Sequence, residues 1–144
     1  EGKVRQLGLA NCCDQRTFLR IYEDSIIKPK VLQNRFYSQS DFDTELRSLC
    51  DDYEITYQSF WTLTANREAI NSPKWKAIAQ SKHLTAQTLM YAYMMSLGHT
   101  PLSGTTDVTH MKEDVDIMLR FQNGEQVLSK DDVETLSSLL GVPP

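Results

Sequence analysis

The stretch Ser96–Asp114 has the residue types that could bind an anion at the start of a helix. Gly98 predicts the end of one helix, HTPLSG at 99–104 predicts a short buried strand, and Thr105–Asp107 supplies caps for the next helix. Small residues between a strand and a helix leave backbone N–H groups free to face an anion, such as the pyrophosphate of a dinucleotide. Strand–helix turns that bind nothing use the same capping chemistry, so this turn alone leaves both interpretations open.

Residues that could perform catalysis are hard to find in the rest of the chain. The sequence contains no G-x-x-x-x-G-K-[ST] loop, no H-E-x-x-H or G-x-S-x-G motif and no Tyr-x-x-x-Lys pair. His83, His99 and His110 are scattered, which is typical of helix surfaces or turns and predicts no metal site. We therefore expect any chemistry to come from cofactor-binding groups at strand ends, or from residues outside this chain.

The composition indicates one domain over 1–144. With 40% hydrophobic and 24% charged residues, the chain can bury a core of ordinary size. A net charge of -4 argues against nucleic acid or an anionic membrane as the main partner. Three cysteines without metal-type spacing suit free thiols in a reducing compartment. The sequence shows no apolar run long enough to span a bilayer and no signal peptide at its amino end, so we expect a cytoplasmic protein. Because the chain begins with Glu1 rather than Met, we expect it to be a fragment of a longer chain.

The chain repeats one unit, a strand followed by a helix. Strands are predicted at Lys3–Ala10, at Lys30–Tyr37, at Ile55–Phe60 and at 99–104. The helices after the first two strands are expected to start at Asn11 or Asp14, and at Ser40 or Asp41.

The third and fourth units are less regular. Residues 61–72 (WTLTANREAINS) predict a long polar loop, after which Ser72 and Thr85 each open a helix. The Met and Tyr residues after Thr85 recur at helical spacing, which is more typical of a core than of a cofactor site. Ser129 is expected to cap a last helix, which ends at Gly141. The helix after the fourth strand carries apolar residues at helical spacing: Val108, Met111, Val115, Met118 and Leu119.

This alternation predicts an α/β fold with four parallel strands and right-handed crossovers. An open doubly wound sheet and half of a (β/α)8 barrel both fit, although the first strand–helix turn, GLANCC, lacks G-x-G-x-x-G. A complete barrel needs about 250 residues, so the chain has room for half of one. Four strands cannot close into a barrel. We therefore expect two open sheet edges and an apolar inner face, which a second half-barrel must cover.

Four strand-end motifs resemble, in order, those of the C-terminal half of the aldo-keto reductases. GKVRQLGLANC at 2–12 is similar to the family's G-K-x-R-x-[IL]-G-[VL]-S-N strand, and KPKVLQNRF at 28–36 is similar to the next strand. YQSFWTL at 57–63 resembles the strand with a cofactor-stacking aromatic, and TPLSGTTDVTHMKED at 100–114 resembles the P-[IL]-x-G-[TS]-[TS] phosphate loop. Together the motifs cover essentially the whole chain.

The resemblance implies a site for a nicotinamide dinucleotide. Asn11 and Gln33 match residues that contact the nicotinamide carboxamide, and Phe60 matches the aromatic that stacks on the nicotinamide ring. The positions that match phosphate, ribose or adenine contacts are Trp61, Thr62 and Leu63, then Ser103, Gly104, Thr105 and Thr106, and finally Glu113.

Some positions depart from the family pattern. Members that prefer NADPH commonly carry a lysine and an arginine where this chain has Gly104 and His110. A neutral histidine offers a 2′-phosphate far less than a guanidinium does, so the cofactor is expected to be NADP or NAD. Ala10, Leu32 and Asp114 also replace a usual serine and two usual asparagines.

We therefore predict half of a (β/α)8 TIM barrel that binds the cofactor of an oxidoreductase. The resemblance places the family's catalytic Asp, Tyr, Lys and His in the N-terminal half, so this chain would hold no catalytic residue and would not be active alone. The expected partners are the dinucleotide and either the missing N-terminal half-barrel or a second copy of the chain. The alternative hypothesis is a non-catalytic half-barrel that serves as a scaffold or an interaction subunit.

Overall fold

The four strands form one parallel sheet in chain order, β1-β2-β3-β4, in a computed structural model that describes residues 2–143. Because each strand pairs with the next one along the chain, every crossover advances in the same direction. A doubly wound sheet would instead reverse its strand order at one point. The arrangement is that of half a (β/α)8 barrel, which confirms the predicted fold class.

The strands are β1 (Gly8–Ala10), β2 (Val31–Arg35), β3 (Thr56–Phe60) and β4 (Thr100–Pro101). The first helices are α1 (Gln15–Asp24), α2 (Thr44–Asp52), α3 (Thr62–Ala65) and α4 (Arg67–Asn71). They are followed by α5 (Pro73–Ser81), α6 (Ala86–Ser96), α7 (Val108–Gln122) and α8 (Lys130–Leu140). None of these helices, in the part of the chain that the structure describes, combines the length and the apolarity that a bilayer crossing requires.

The two edge strands are shorter than the sequence predicts. β1 begins at Gly8 rather than Lys3, and β4 contains only two residues. Each of them has a single neighbour in the sheet, so fewer ladder hydrogen bonds fix its backbone. The two inner strands have five residues each and match the prediction more closely.

The prediction of a polar loop at 61–72 is wrong, because α3 and α4 occupy most of it. Ile70 is buried in the core, and Thr62 is buried at the start of α3. The side-chain amide of Asn66 donates hydrogen bonds to the carbonyl oxygens of Phe36, at 2.9 Å, and of Thr62, at 2.8 Å. Tertiary contacts therefore stabilise two helices that are too short to form alone.

The predicted helix starts are confirmed where a side chain caps the helix. The predicted start of the second helix, which has no such cap, is wrong. Ser72, Thr85 and Ser129 each accept a hydrogen bond from a backbone N–H of the first turn of α5, α6 and α8. The second helix does not start at Ser40 or Asp41. The segment Ser38–Asp43 is a distorted 3-10 turn whose last three residues have positive φ, and α2 follows it.

The core lies on the helical side of the sheet in two clusters. One surrounds α6, in which every residue from Thr88 to Met94 is buried, so the Met and Tyr stripe is core as predicted. The other lies between α1, α2 and the inner strands, and includes Phe18, Leu32 and Cys50.

The opposite face of the sheet is mostly polar, contrary to the expectation of an apolar inner face. Strand residues alternate between the two faces, and Leu32, Asn34, Tyr57 and Ser59 are the buried set. The alternate set, on the inner face, consists of Val31, Gln33, Arg35, Thr56, Gln58 and Phe60.

A row of exposed apolar residues lies on α7 instead. Val108, Met111, Val115, Met118 and Leu119 are all exposed, and Ile117 is the buried residue of this helix. We call these five exposed residues the α7 apolar face. The helical spacing correctly placed them on one side, but nothing within the described chain covers that side.

Candidate functional site

The carboxyl ends of the parallel strands bring the predicted site residues to one edge of the sheet. Asn11 follows β1, Gln33 lies within β2, Phe60 ends β3, and Ser103 follows β4. In parallel α/β proteins, ligands bind at this edge, because the loops that leave it are free to vary.

Asn11 adopts the left-handed conformation, with φ 55°, which asparagine tolerates better than most residues. Its backbone N–H donates to the carbonyl oxygen of Gln33 at 3.0 Å. The next residue is fixed in the same way, since Cys12 N–H donates to Asn34 Oδ1 at 3.0 Å and Asn34 Nδ2 donates to the Cys12 carbonyl at 2.8 Å. The end of β1 is therefore held rigidly against β2.

Gln33 is half-buried on the inner face and pairs in register with Gln58 of β3. Gln33 Nε2 donates to Gln58 Oε1 at 3.0 Å, which orients both amides. The side-chain oxygen of Gln33 remains able to accept a hydrogen bond from a ligand amide. The sequence interpretation missed Gln58, although the alternation in YQSF places it on the same face as Phe60.

A pocket of about 330 Å³ joins two predicted segments that are about 40 residues apart in sequence. We call it the strand-end pocket. It is lined by Phe60, Trp61, Thr62, Leu63, Thr64, Tyr91, Leu102, Ser103 and Gly104. Among them, Tyr91 is a contribution from α6 that the sequence interpretation did not identify.

The two predicted segments shape this pocket differently. Trp61 has φ 61° and is 46% exposed, so its ring stands at the mouth, whereas Thr62 is buried. On the other side, the hydroxyl of Ser103 donates to Asp114 of α7. Burial raises the pKa of the Tyr91 hydroxyl, and a hydrogen bond with Ser103 opposes part of that shift.

The turn before α7 is capped from within the chain. Asp107 Oδ1 accepts hydrogen bonds from the backbone N–H groups of Thr109, at 2.8 Å, and His110, at 3.1 Å. These hydrogen bonds lower the pKa of Asp107. Thr105 Oγ1 accepts from the Asp107 N–H at 3.1 Å, and Thr106 is exposed. Two of the N–H groups that the sequence predicted to be free for an anion are therefore already bonded to a carboxylate.

Two predicted adenosine contacts lie apart from the strand-end pocket. His110 is exposed in the first turn of α7. Glu113 lines a separate groove of about 380 Å³ with His83, Thr85 and Arg120. The structure brings together residues 60–63 with Ser103 and Gly104, and it does not bring Glu113 to them.

His99 is buried, which agrees with the buried strand predicted at 99–104 and not with the expectation of a histidine on a helix surface or in a turn. Its ring lies 4.9 Å from that of Tyr57, and burial, with a smaller effect of the Arg47 charge, lowers its pKa to about 3. Tyr57 in turn donates to Asp43 at 3.1 Å, and Asn34 Nδ2 donates to the same carboxylate at 2.7 Å. The strand residues of this cluster, Asn34 and Tyr57, lie on the buried face of the sheet, and no member of the cluster lines the strand-end pocket.

No group of three or more His, Cys, Asp or Glu side chains suited to a metal ion occurs within residues 2–143. The three cysteines are free thiols. Burial raises the pKa of all three, that of Cys50 to about 12, so the buried Cys50 thiol is a poor nucleophile.

Comparison with known proteins identifies the fold. No family model and no curated protein matches the sequence. The aldose reductase of Schistosoma japonicum is similar in structure, with a TM-score of 0.77 and 19% identity over 95% of this chain. The aldo-keto reductase MGS-M4, from a Medee basin deep-sea metagenome library, gives a TM-score of 0.82 with 14% identity over 99% of this chain. A mutant of Gox0644 solved in complex with NADPH gives 0.78 with 18% identity over 96%.

This chain spans about half the length of the proteins to which it is similar. It covers 42% of the Schistosoma enzyme, 50% of MGS-M4 and 48% of Gox0644. At these identities the similarity is one of fold. The chain therefore has the fold of half an aldo-keto reductase barrel, as the strand-end motifs predicted.

Proposed function

We propose that this chain is the nicotinamide-cofactor-binding half of an aldo-keto reductase-like oxidoreductase. The observation that carries the proposal is the strand-end pocket, in which Phe60–Leu63 and Ser103–Gly104 meet at the carboxyl ends of parallel strands. Those two segments are the ones that resemble the nicotinamide-stacking and phosphate motifs of the family. A dinucleotide lying along this edge would contact both.

In this proposal the nicotinamide end binds at Asn11, Gln33 and Phe60. The two amide side chains hold the carboxamide, and the Phe60 ring stacks on the nicotinamide. The fixed backbone of Asn11 and the Gln33–Gln58 hydrogen bond support these roles, because they order both groups before the cofactor arrives. When bound, the cofactor supplies or accepts a hydride in the reaction of a carbonyl compound, and the chain orients it.

The adenosine end is assigned to Ser103–Thr106, with Trp61–Leu63 beside the phosphates. One structure with a similar fold contains NADPH, which supports a nicotinamide cofactor of this type. The choice between NADP and NAD depends on Gly104 and His110, which leave a 2′-phosphate without a lysine or an arginine. Glu113 would reach adenine only if the ligand extended around α7.

The catalytic groups belong, in this proposal, to a second half-barrel. β4 has an unpaired edge, and a groove of about 420 Å³ lies beside it between α6 and α7, lined mainly by apolar atoms. The α7 apolar face adjoins this groove through Val115 and Met118. A neighbouring strand and helix would cover all three features. Free thiols favour the cytoplasm as the location.

A scaffold or interaction subunit is the second candidate, and the capping of α7 favours it. The Asp107 carboxylate occupies the helix N-terminus and would repel a phosphate placed there. In that case the turn stabilises α7 and the chain functions through its edges alone.

Nucleotide binding distinguishes the two candidates. We expect saturation-transfer NMR on the chain with NADPH or NADH to show transfer to the nicotinamide protons. Phe60→Leu should weaken binding by about 2- to 10-fold, which corresponds to a stacking contribution of roughly 0.5–1.5 kcal/mol. Tyr53→Leu, which removes an aromatic ring directly after the last residue of α2, is the matched control. Absence of any transfer with the wild-type chain would favour the scaffold.

A further inference from the structure

Arg35 is an exposed cation at the mouth of the sheet with no role in the site described so far. It is the last residue of β2, lies on the same face as Gln33, and is in register with Phe60 of β3. Its guanidinium carbon lies 4.9 Å from the centre of the Trp61 ring and 5.9 Å from that of Phe60. Two aromatic rings therefore position the charge beside the strand-end pocket.

The guanidinium is held there without an acidic partner. None of the ion pairs found in residues 2–143 includes Arg35, and none of the hydrogen bonds there uses its side chain. Aromatic faces attract the cation but leave its five N–H donors unused. Trp61 itself has a positive φ, so a backbone conformation that few residues tolerate places its ring at this point.

We propose that Arg35 binds an oxyanion, a carboxylate or a phosphate, beside the ring of Phe60. A guanidinium fixed on aromatic rings presents two parallel N–H groups, which match the paired oxygens of such an anion. The anion could come from the cofactor's pyrophosphate or from a carbonyl substrate that carries a carboxylate, and this choice of sources rests on the proposed function.

Two probes separate the sources. Inorganic pyrophosphate represents the cofactor, and pyruvate represents a carbonyl compound with a carboxylate. Each is titrated into the full chain at constant ionic strength and followed by calorimetry and by tryptophan fluorescence, in which a change on binding is expected from exposed Trp61, the ring beside Arg35, and not from buried Trp75. Neutral nicotinamide is titrated in parallel as a test of the Phe60 stacking site alone.

The variants are Arg35→Gln, which removes the charge, and Arg35→Lys, which keeps the charge but lacks the two parallel N–H groups of the guanidinium. Arg20→Gln is the control for net charge, because Arg20 lies on α1 with a side chain that is 85% exposed. We expect Arg35→Gln to weaken binding of at least one anion by about tenfold or more, Arg35→Lys to weaken it less, and Arg20→Gln to leave it within about twofold. Unchanged circular dichroism and thermal midpoints would show that the variants are folded.

Each outcome has a defined meaning. Weakening of pyrophosphate binding alone assigns Arg35 to the cofactor, and weakening of pyruvate binding alone assigns it to an anionic substrate. Equal binding by the wild type and Arg35→Gln, or no anion binding by the wild type, overturns the inference. Anion binding through Arg35 with no binding of nicotinamide or NADPH would instead leave this site intact and contradict the proposed function.

Discussion

At the scale of single residues, His99 shows how burial sets chemistry. The side chain is 8% exposed, and its Nδ1 atom has no hydrogen-bond partner among the described residues. Its ring packs against those of Tyr57 and Phe36, at 4.9 and 6.3 Å between centres. A charged imidazolium would be costly in this environment, which is why the pKa lies at about 3 rather than 6.5.

This lowered pKa predicts an acid-sensitive fold. The unfolded chain binds the His99 proton near pH 6.5 and the folded chain only near pH 3, so the stability is full above pH 6.5 and falls between those values. Between pH 7 and 5 the loss is expected to approach about 2 kcal/mol. Urea denaturation at both pH values, with His99→Gln as the variant and His83→Gln as the exposed control, measures it. The same pH dependence in His99→Gln as in the wild type would contradict the argument.

Other residues show what sequence could and could not predict at this scale. The sequence correctly placed Phe60 at the end of β3, and Ser103 lies two residues after β4, whereas the cofactor contacts of both residues stay a prediction. Gln58 and Tyr91 were missed, since their place in the site follows from register and from a helix that is distant in sequence. The burial of His99 agrees with the short buried strand predicted at 99–104, but its ring contacts with Tyr57 and Phe36 depend on packing between segments that are distant in sequence.

At the scale of elements, the turn between β4 and α7 combines two opposing electrostatic effects. The helix N-terminus attracts anions, but the Asp107 carboxylate already occupies two of its N–H groups. A phosphate in this turn would need cationic side chains to offset that charge. Neither a lysine nor an arginine is present at position 104 or 110, which hold Gly104 and His110.

We therefore predict that Gly104→Lys combined with His110→Arg shifts cofactor preference toward NADPH. Each new cation could form charge-assisted hydrogen bonds with the 2′-phosphate worth roughly 1.5–3 kcal/mol at best. Gly104 has an ordinary backbone conformation, and a side chain there would meet open space, so the lysine is not expected to strain the turn. Titration of both nucleotides into the wild type and the double variant measures the ratio of dissociation constants. An unchanged ratio would mean that this turn binds no adenosine phosphate.

Elements were predictable where their signals are local. The capped starts of α5, α6 and α8 follow from Ser72, Thr85 and Ser129, whose side chains bond to the next turn. α3 and α4 were not predictable in this way, because they depend on Asn66 bonding to a strand end about thirty residues earlier. The edge strands were overextended for a related reason, since each of them pairs with a single strand in the described part of the chain.

At the scale of the whole molecule, the exposed surface is larger than expected for the chain's size. The surface area is 9093 Å², whereas a monomer of 16.5 kDa is expected to expose roughly 7,500 Å². The excess, roughly 1,500 Å², is of the order that one partner contributes to an obligate interface. The open sheet is consistent with this excess, since within residues 2–143 β1 and β4 each pair with one strand only.

The position of the apolar surface indicates how a partner would dock. The inner face is largely polar, so the hydrophobic contribution must come from the edges. Beside β4, the α7 apolar face includes Val108, 64% exposed, and Val115, 49% exposed. Beside β1, Val4, Leu7 and Ile27 are exposed as well. A second half-barrel with parallel strands, whose first strand pairs with β4, would bury the apolar residues beside β4 and beside β1 and would complete an eight-stranded barrel.

We predict that the chain associates, either with itself as a dimer or with a complementary half-barrel. Sedimentation of the purified chain at micromolar concentration is expected to give a species larger than 16.5 kDa, or a monomer-sized species that shifts when an N-terminal half-barrel is added. Val115→Lys should dissociate the complex, because it places a charge at the centre of the α7 apolar face. Gln87→Lys adds the same charge at an exposed position of α6 and should leave association unchanged. A well-folded monomer with a cooperative thermal transition, indifferent to added partner, would contradict this prediction, because roughly 1,500 Å² of surplus surface would then be stable in water.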